Sequence, residues 1–170
     1  IATVSFGDRT FFLESTGLAV YERSSSRNLA WRRWRLGRSA GFHLLTITGV
    51  EGDMAKTVCQ FLGKTTTEWA LFAATNAGEV VSLCPFEDER LEPVHVIVQL
   101  HDATEISGFS FDHDHNLWII SHSNSIARLH SFTLDGTLRG LWQLPEARHW
   151  ATGVCVLRGS DLLALAVSSG

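Results

Sequence analysis

Proline, methionine and tyrosine are scarce in this chain of 170 residues, which has three prolines, one methionine (Met54) and one tyrosine (Tyr21). Cysteine is as rare. Cys59, Cys84 and Cys155 are an odd number set far apart, which fits neither a disulfide framework nor the paired spacing of a zinc site. They are expected to be buried thiols in a reducing compartment, the cytoplasm. Long apolar runs are missing too. The longest, 117–120 and 162–167, fall far short of the roughly 20 residues that cross a bilayer, so no membrane partner is expected. Residues 1–10 have no basic start, apolar run or small-residue cleavage site and do not read as a signal peptide. No Met opens the chain, which leads us to expect a piece of something longer. Neither sign of charge dominates: 14 Lys and Arg face 18 Asp and Glu, and a net charge of -4 gives no general attraction to nucleic acid or membrane. An apolar share of 45% excludes a disordered chain.

What remains is rich in Val, Ile, Phe, Trp and Thr, arranged in runs of four to seven residues. Apolar residues at i, i+3, i+4 and i+7 are almost absent, so the chain reads as all-β. Candidate strands are 3–6, 10–14, 18–23, 30–36, 42–50, 68–75, 79–84, 94–100, 108–111, 117–121, 126–133, 138–144, 153–157 and 162–167. Turn formers separate them, among them Ser15-Thr16-Gly17, Asn76-Ala77-Gly78, Ser123-Asn124-Ser125 and Asp135-Gly136, where the backbone takes positive φ at little cost. The charged segments 51–67 and 87–92 read as loops.

The strands come in fours, and the chain repeats. A slide of 45 residues lays Ser107-Gly108-Phe109-Ser110-Phe111 on Thr152-Gly153-Val154-Cys155-Val156, and a slide of 48 lays Leu71 to Asn76 on Ile119 to Asn124. Periods of about 40 to 50 residues holding four strands mark a β-propeller blade. The unit 106–144 carries Ser107-Gly108-Phe109-Ser110-Phe111-Asp112, His115-Asn116-Leu117-Trp118-Ile119-Ile120, Ser123-Asn124-Ser125, and Leu134-Asp135-Gly136 followed by Trp142. These features resemble an NHL-type propeller repeat. A WD-like repeat is the nearby alternative, with His101 standing before the first strand, but Ser131-Phe132-Thr133 stands where that family ends a strand in Trp-Asp. The resemblance implies a β-propeller segment of about three and a half four-stranded blades, at about 1–40, 41–105, 106–150 and an incomplete 151–170. It also implies that the missing blades come from the same chain or a second copy.

Three groups of residues invite a chemical reading. Asp112-His113-Asp114-His115 suggests metal or acid-base work, but in extended chain it offers two ligands per side at most, so a turn built on Asp112 and Asn116 is the expectation. Ser107, Ser121, Ser123 and Ser125 lie near His122 and Asp112, yet no Gly-x-Ser-x-Gly elbow is present. No catalytic residue, metal or cofactor is therefore assigned. The third group is Trp31-Arg32-Arg33-Trp34-Arg35-Leu36-Gly37-Arg38, which with Arg23 and Arg27 gathers six arginines in 16 residues. As a strand it sets Trp31, Arg33 and Arg35 on one face and Arg32 and Trp34 on the other. Trp31, Arg32, Arg33, Trp34, Arg35 and Arg38 are the candidate binding residues. The bland alternative pairs these arginines with the acidic 87–92 loop.

The expected function is a non-catalytic propeller scaffold that binds a protein partner. One alternative is a propeller hydrolase or lactonase with a metal in its channel, as the repeat resemblance implies. The other is RNA binding through the Arg/Trp stripe, with cations for phosphates and rings for bases.

Overall fold

A computed structural model describes residues 3–25, 31–37, 41–63, 68–85, 90–101, 105–144, 149–156 and 163–169. They are mostly strand. The order is β1 (Thr3–Phe6), β2 (Arg9–Leu13), β3 (Ala19–Ser24), β4 (Trp31–Leu36), β5 (Leu44–Glu51), α1 (Gly52–Phe61), β6 (Trp69–Thr75), β7 (Glu79–Pro85) and β8 (Arg90–Gln99). There follow β9 (Glu105–Phe111), β10 (Leu117–Ser123), β11 (Ile126–Phe132), β12 (Leu138–Gln143), β13 (His149–Val156) and β14 (Leu163–Ser169). The all-β expectation stands. No helix among the described residues is long and apolar enough to cross a membrane.

The propeller expectation, in its NHL-like and its WD-like form, is corrected. Among the described residues the strands make three open sheets and close no ring. β1 to β4 and β5 to β8 are antiparallel meanders, but they do not stand as two separate blades. The outermost strands pair in parallel, Arg35 with Arg90 and Leu36 with Leu91, so the first eight strands form one sheet in the order β1-β2-β3-β4-β8-β7-β6-β5. β12-β11-β10-β9 is the second sheet and β13-β14 the third. The reading of segment 51–67 as loop is corrected as well: α1 occupies Gly52–Phe61 and buries Ala55, Val58 and Cys59.

Alternation of side chains across the strands places the cores. The eight-stranded sheet folds over so that Phe11, Leu13, Val20, Trp34 and Leu36 of its first half meet Ile47, Leu71, Ala73, Val81 and Leu83 of its second. From the other face of β6, Phe72 and Ala74 join Val58 of α1 and Phe109, Phe111, Leu117 and Ile119 of the second sheet. β6 is therefore covered on both sides, and its Phe72 ring meets Phe111 edge-on at 4.9 Å. A smaller cluster of Ile120, Leu129 and Val154 holds β13 against the second sheet. Burying one such Phe, Leu or Ile contributes about 1.5–3 kcal/mol, so these layers hold the molecule together.

Two turns fix how the layers approach. Gly17 lies at φ +69, and a Cβ there would stand 2.4 Å from the Leu44 carbonyl oxygen, so only glycine lets the β2–β3 turn touch the start of β5. Leu44 N–H donates to the Gly17 carbonyl at 2.9 Å across that contact. The β10–β11 hairpin turns through Asn124 and Ser125, both at positive φ (49 and 65), matching its sequence signal.

Candidate functional site

Strand β4 divides the Arg/Trp segment as its alternation requires. Trp34 and Leu36 point into the core, and Arg32 goes with them, its guanidinium stacked 4.0 Å over the Trp34 ring. Trp34 donates its indole N–H to Glu22 Oε2 at 2.9 Å, and the other oxygen of this buried carboxylate accepts from Arg9. Arg9 in turn lies over Trp69 of β6, 5.1 Å from the ring centre. Cation, ring and carboxylate here satisfy one another between the two halves of the sheet, and this side of the stripe is structural.

The opposite face is different. Trp31, Arg33 and Arg35 stand across from Arg23, Tyr21 and Ala19 of β3. Behind them Phe12 and Thr10 of β2 pair with Tyr21 and Arg23, and Thr3 and Ser5 of β1 pair with Phe12 and Thr10. All three apolar clusters lie away from this face. Trp31 is 53% exposed. Arg23, Arg35, Thr3 and Ser5 are exposed, and Phe12, Tyr21 and Arg33 are half-buried.

Rings and guanidiniums interleave here. Arg23 lies 5.7 Å from the Trp31 ring centre and Arg33 5.8 Å from that of Tyr21, and the two rings meet edge-on at 6.5 Å. One carboxylate answers the three cations. Glu14 Oε1 accepts from Arg33 at 2.8 Å and from the Tyr21 hydroxyl at 3.3 Å, and Oε2 accepts from Thr16 at 2.7 Å. The Thr16 hydrogen bond, followed by those of Arg33 and Tyr21 and the Arg33 charge, outweighs desolvation and holds the Glu14 carboxyl below its ordinary range. Arg23 and Arg35 have no carboxylate partner among the described residues.

The sequence expected the wrong acid for these arginines. Arg33 pairs with Glu14 across the sheet, while Glu92 pairs with Arg90 at 3.3 Å. Arg27, Arg38 and residues 86–89 lie outside the described residues.

The other two groups make hydrogen bonds in and beside the second sheet. Asp112 Oδ1 accepts from the backbone N–H of Asp114 at 3.0 Å and of Asn116 at 2.8 Å, and Oδ2 accepts from the Trp118 indole at 2.8 Å. Burial pushes this carboxyl's pKa up, but the bonds from Trp118, Asn116 and Asp114 together hold it below the ordinary value. His113 and Asp114 are exposed and His115 is half-buried. Among the described residues no three or more His, Cys, Asp or Glu are grouped to hold a metal.

Of the serines that the sequence sets near His122, Ser107 does reach it, whereas Ser121 turns to His130. Ser121 Oγ lies 2.7 Å from His130 Nε2, and His122 Nε2 lies 3.1 Å from Ser107 Oγ. Because Ser121 and His122 are adjacent, the two pairs occupy opposite faces of β10. Burial, with the Arg128 charge added, lowers the His130 pKa.

No family model matches the chain, and no curated protein matches it. Among solved structures it is similar to virginiamycin B lyase from Staphylococcus aureus, with a TM-score of 0.58 and 14% identity over 99% of this chain and 48% of that one. It is also similar to a protein of unknown function from Bacteroides caccae, with a TM-score of 0.50 and 7% identity over 95% of this chain and 51% of that one. The chain thus spans about half the length of each. At such identity the likeness is one of fold alone. With three open sheets and no metal-binding cluster among the described residues, the expectations of a propeller scaffold, a channel-metal hydrolase or lactonase, and an RNA-binding propeller are overturned.

Proposed function

We infer that this chain is a binding module whose outward β1–β4 face meets the acidic surface of a partner protein. The observation behind the reading is the imbalance on that face. Arg23, Arg33 and Arg35 stand among Phe12, Tyr21 and Trp31 with Glu14 as the one paired acid. Arginine and large aromatic side chains are the residues that carry most binding energy where proteins meet. Guanidiniums already seated on rings also lose little freedom on docking. The side chains of this face stand from four strands paired side by side, which suits a broad partner.

A fluorescently labelled random copolymer of Glu and Tyr, which offers carboxylates and rings together, tests the reading. The wild-type chain should bind it with an affinity that falls as salt rises. The double variant Arg23→Ala/Arg35→Ala, at two exposed positions, should weaken binding about tenfold or more at low salt. Equal affinity of variant and wild type would remove the β1–β4 face from the binding reaction.

A further inference from the structure

The β11–β12 hairpin turns through Leu134, Asp135 and Gly136, and Asp135-Gly136 is the one Asp-Gly pair in the chain. An aspartyl carboxyl in that setting is open to attack by its own backbone. Glycine has no Cβ to shield its nitrogen, which can close on the carboxyl carbon to form a five-membered imide. The structure opposes this closure at each reacting atom. Thr137 N–H donates to Asp135 Oδ1 at 3.0 Å, and the Thr133 hydroxyl donates to the same oxygen. These bonds, that of Thr133 foremost, hold the carboxyl below its ordinary range. It therefore stays an anion, which a nitrogen attacks poorly. Gly136 N–H is engaged as well, donating to the Thr133 carbonyl at 3.0 Å, and Thr133 N–H donates to the Thr137 carbonyl at 2.9 Å. The turn is also seated on its neighbours. Leu134 packs on the core cluster that holds Phe111 and Phe132. Gly136, at φ +81, lies so near β8 that a Cβ would stand 2.9 Å from the Ile97 carbonyl oxygen.

We propose that Asp135 is a site of isoaspartate formation that the folded turn holds shut, with the Thr133 hydroxyl as its guard. When the turn opens and the carboxyl takes up a proton, the Gly136 nitrogen bonds to Asp135 Cγ. Its hydrogen leaves with the carboxyl hydroxyl as one water. Asp135 is exposed, so water returns to the imide and adds at either carbonyl. Cleavage of the new bond to Cγ restores aspartate. Cleavage of the bond from the nitrogen to the main-chain carbonyl carbon of Asp135 leaves the backbone running through the side chain. The mass is unchanged and no other reactant enters, but the loop is longer by one carbon. Thr133 and Thr137 then lose the match that closes the hairpin.

Trypsin cuts after Arg128 and Arg139, so the fragment 129–139 carries Asp135 as its one aspartate. Its aspartyl and isoaspartyl forms have equal mass and separate by chromatography. The full chain and the synthetic peptide 129–139 are held in neutral buffer at physiological temperature for several weeks, and the isoaspartyl fraction is followed. The folded chain should convert at least about tenfold more slowly than the peptide, because reaction is confined to molecules whose turn is open.

Two variants read the guard. Thr133→Val keeps the β-branched shape and deletes the hydroxyl. It should convert about fivefold faster than wild type, the worth of one hydrogen bond, with near-UV circular dichroism unchanged before ageing. Thr133→Ser keeps the hydroxyl and should convert at close to the wild-type rate. A folded chain that converts as fast as the peptide overturns the proposal. So does a Thr133→Val chain that converts no faster than wild type, because the carboxyl would then be held by something other than Thr133.

Discussion

Trp34 on β4 and Glu22 on β3 form a buried diagonal pair, the indole N–H donating to the carboxylate at 2.9 Å. Glu22 is an anion taken out of water, and its cost is offset only while Trp34 and Arg9 both donate to it. Trp34→Phe keeps most of the apolar surface and deletes the donor. It should cost about 1–3 kcal/mol, read as a lower urea midpoint with an unchanged slope. Arg9→Met leaves the carboxylate without its counter-charge and should cost about 3 kcal/mol. The combined variant should fall short of the sum, because both remove support from one acid. Equal stability of Trp34→Phe and wild type would show that the carboxylate is satisfied in another way.

The Asp112 turn ties acid stability to one carboxyl. Its folded pKa lies below the unfolded value of 3.8. The ionised form is therefore favoured by folding, and the stabilisation is fully present above that value and lost as pH falls through the folded pKa. Asp112→Asn should remove this part of the acid slope and also release the Trp118 indole. Urea midpoints between pH 6 and pH 2.5 check it, those limits being set at about two units above and one below the ordinary Asp value. Parallel slopes for variant and wild type would place the acid dependence elsewhere.

His130 acts in the opposite sense. Its folded pKa lies below the ordinary value of 6.5, burial being the main cause and the Arg128 charge the second. Both states are neutral well above 6.5, so the ring contributes no pH dependence there. As pH falls through the unfolded pKa the unfolded chain takes up the proton first, and stability declines until the folded pKa is passed. His130→Gln retains a polar group near Ser121 and should flatten the stability profile just below pH 6.5. A slope that persists in the variant would assign the titration to another histidine.

The parts legible in the sequence were those set by local alternation. The face split of the Arg/Trp strand followed from a period of two, and the Asp112 turn from an Asx residue before Asn116. Three features were not local. α1 and the Leu62 that follows it do carry apolar residues at helical spacing, Ala55, Val58, Cys59 and Leu62, but the helix lies in a charged segment and its N-terminus has no side-chain cap to announce it. The β4–β8 join is two residue pairs between segments far apart in the chain, one of them Arg opposite Arg, which no charge pattern would favour. The acids that answer the arginines, Glu14 and Glu22, are neighbours only across strands, so a search along the sequence pointed to 87–92 instead.

Gly140 offers a test of how the outer strand is shaped. The Trp142 ring lies over it so closely that a Cβ would stand 2.1 Å from the indole, and this pose stacks Trp142 on Trp118 at 5.6 Å and 19°. Gly140→Ala should therefore evict the ring, even though a strand ordinarily gains from losing a glycine. The paired-indole signal in circular dichroism should disappear, and Trp142 should become more accessible to a collisional quencher. Stability should drop by about 0.5–1.5 kcal/mol, the value of an aromatic pair, or less where the alanine's strand preference compensates. Retention of the paired-indole signal in Gly140→Ala would mean that the ring holds its place without the glycine.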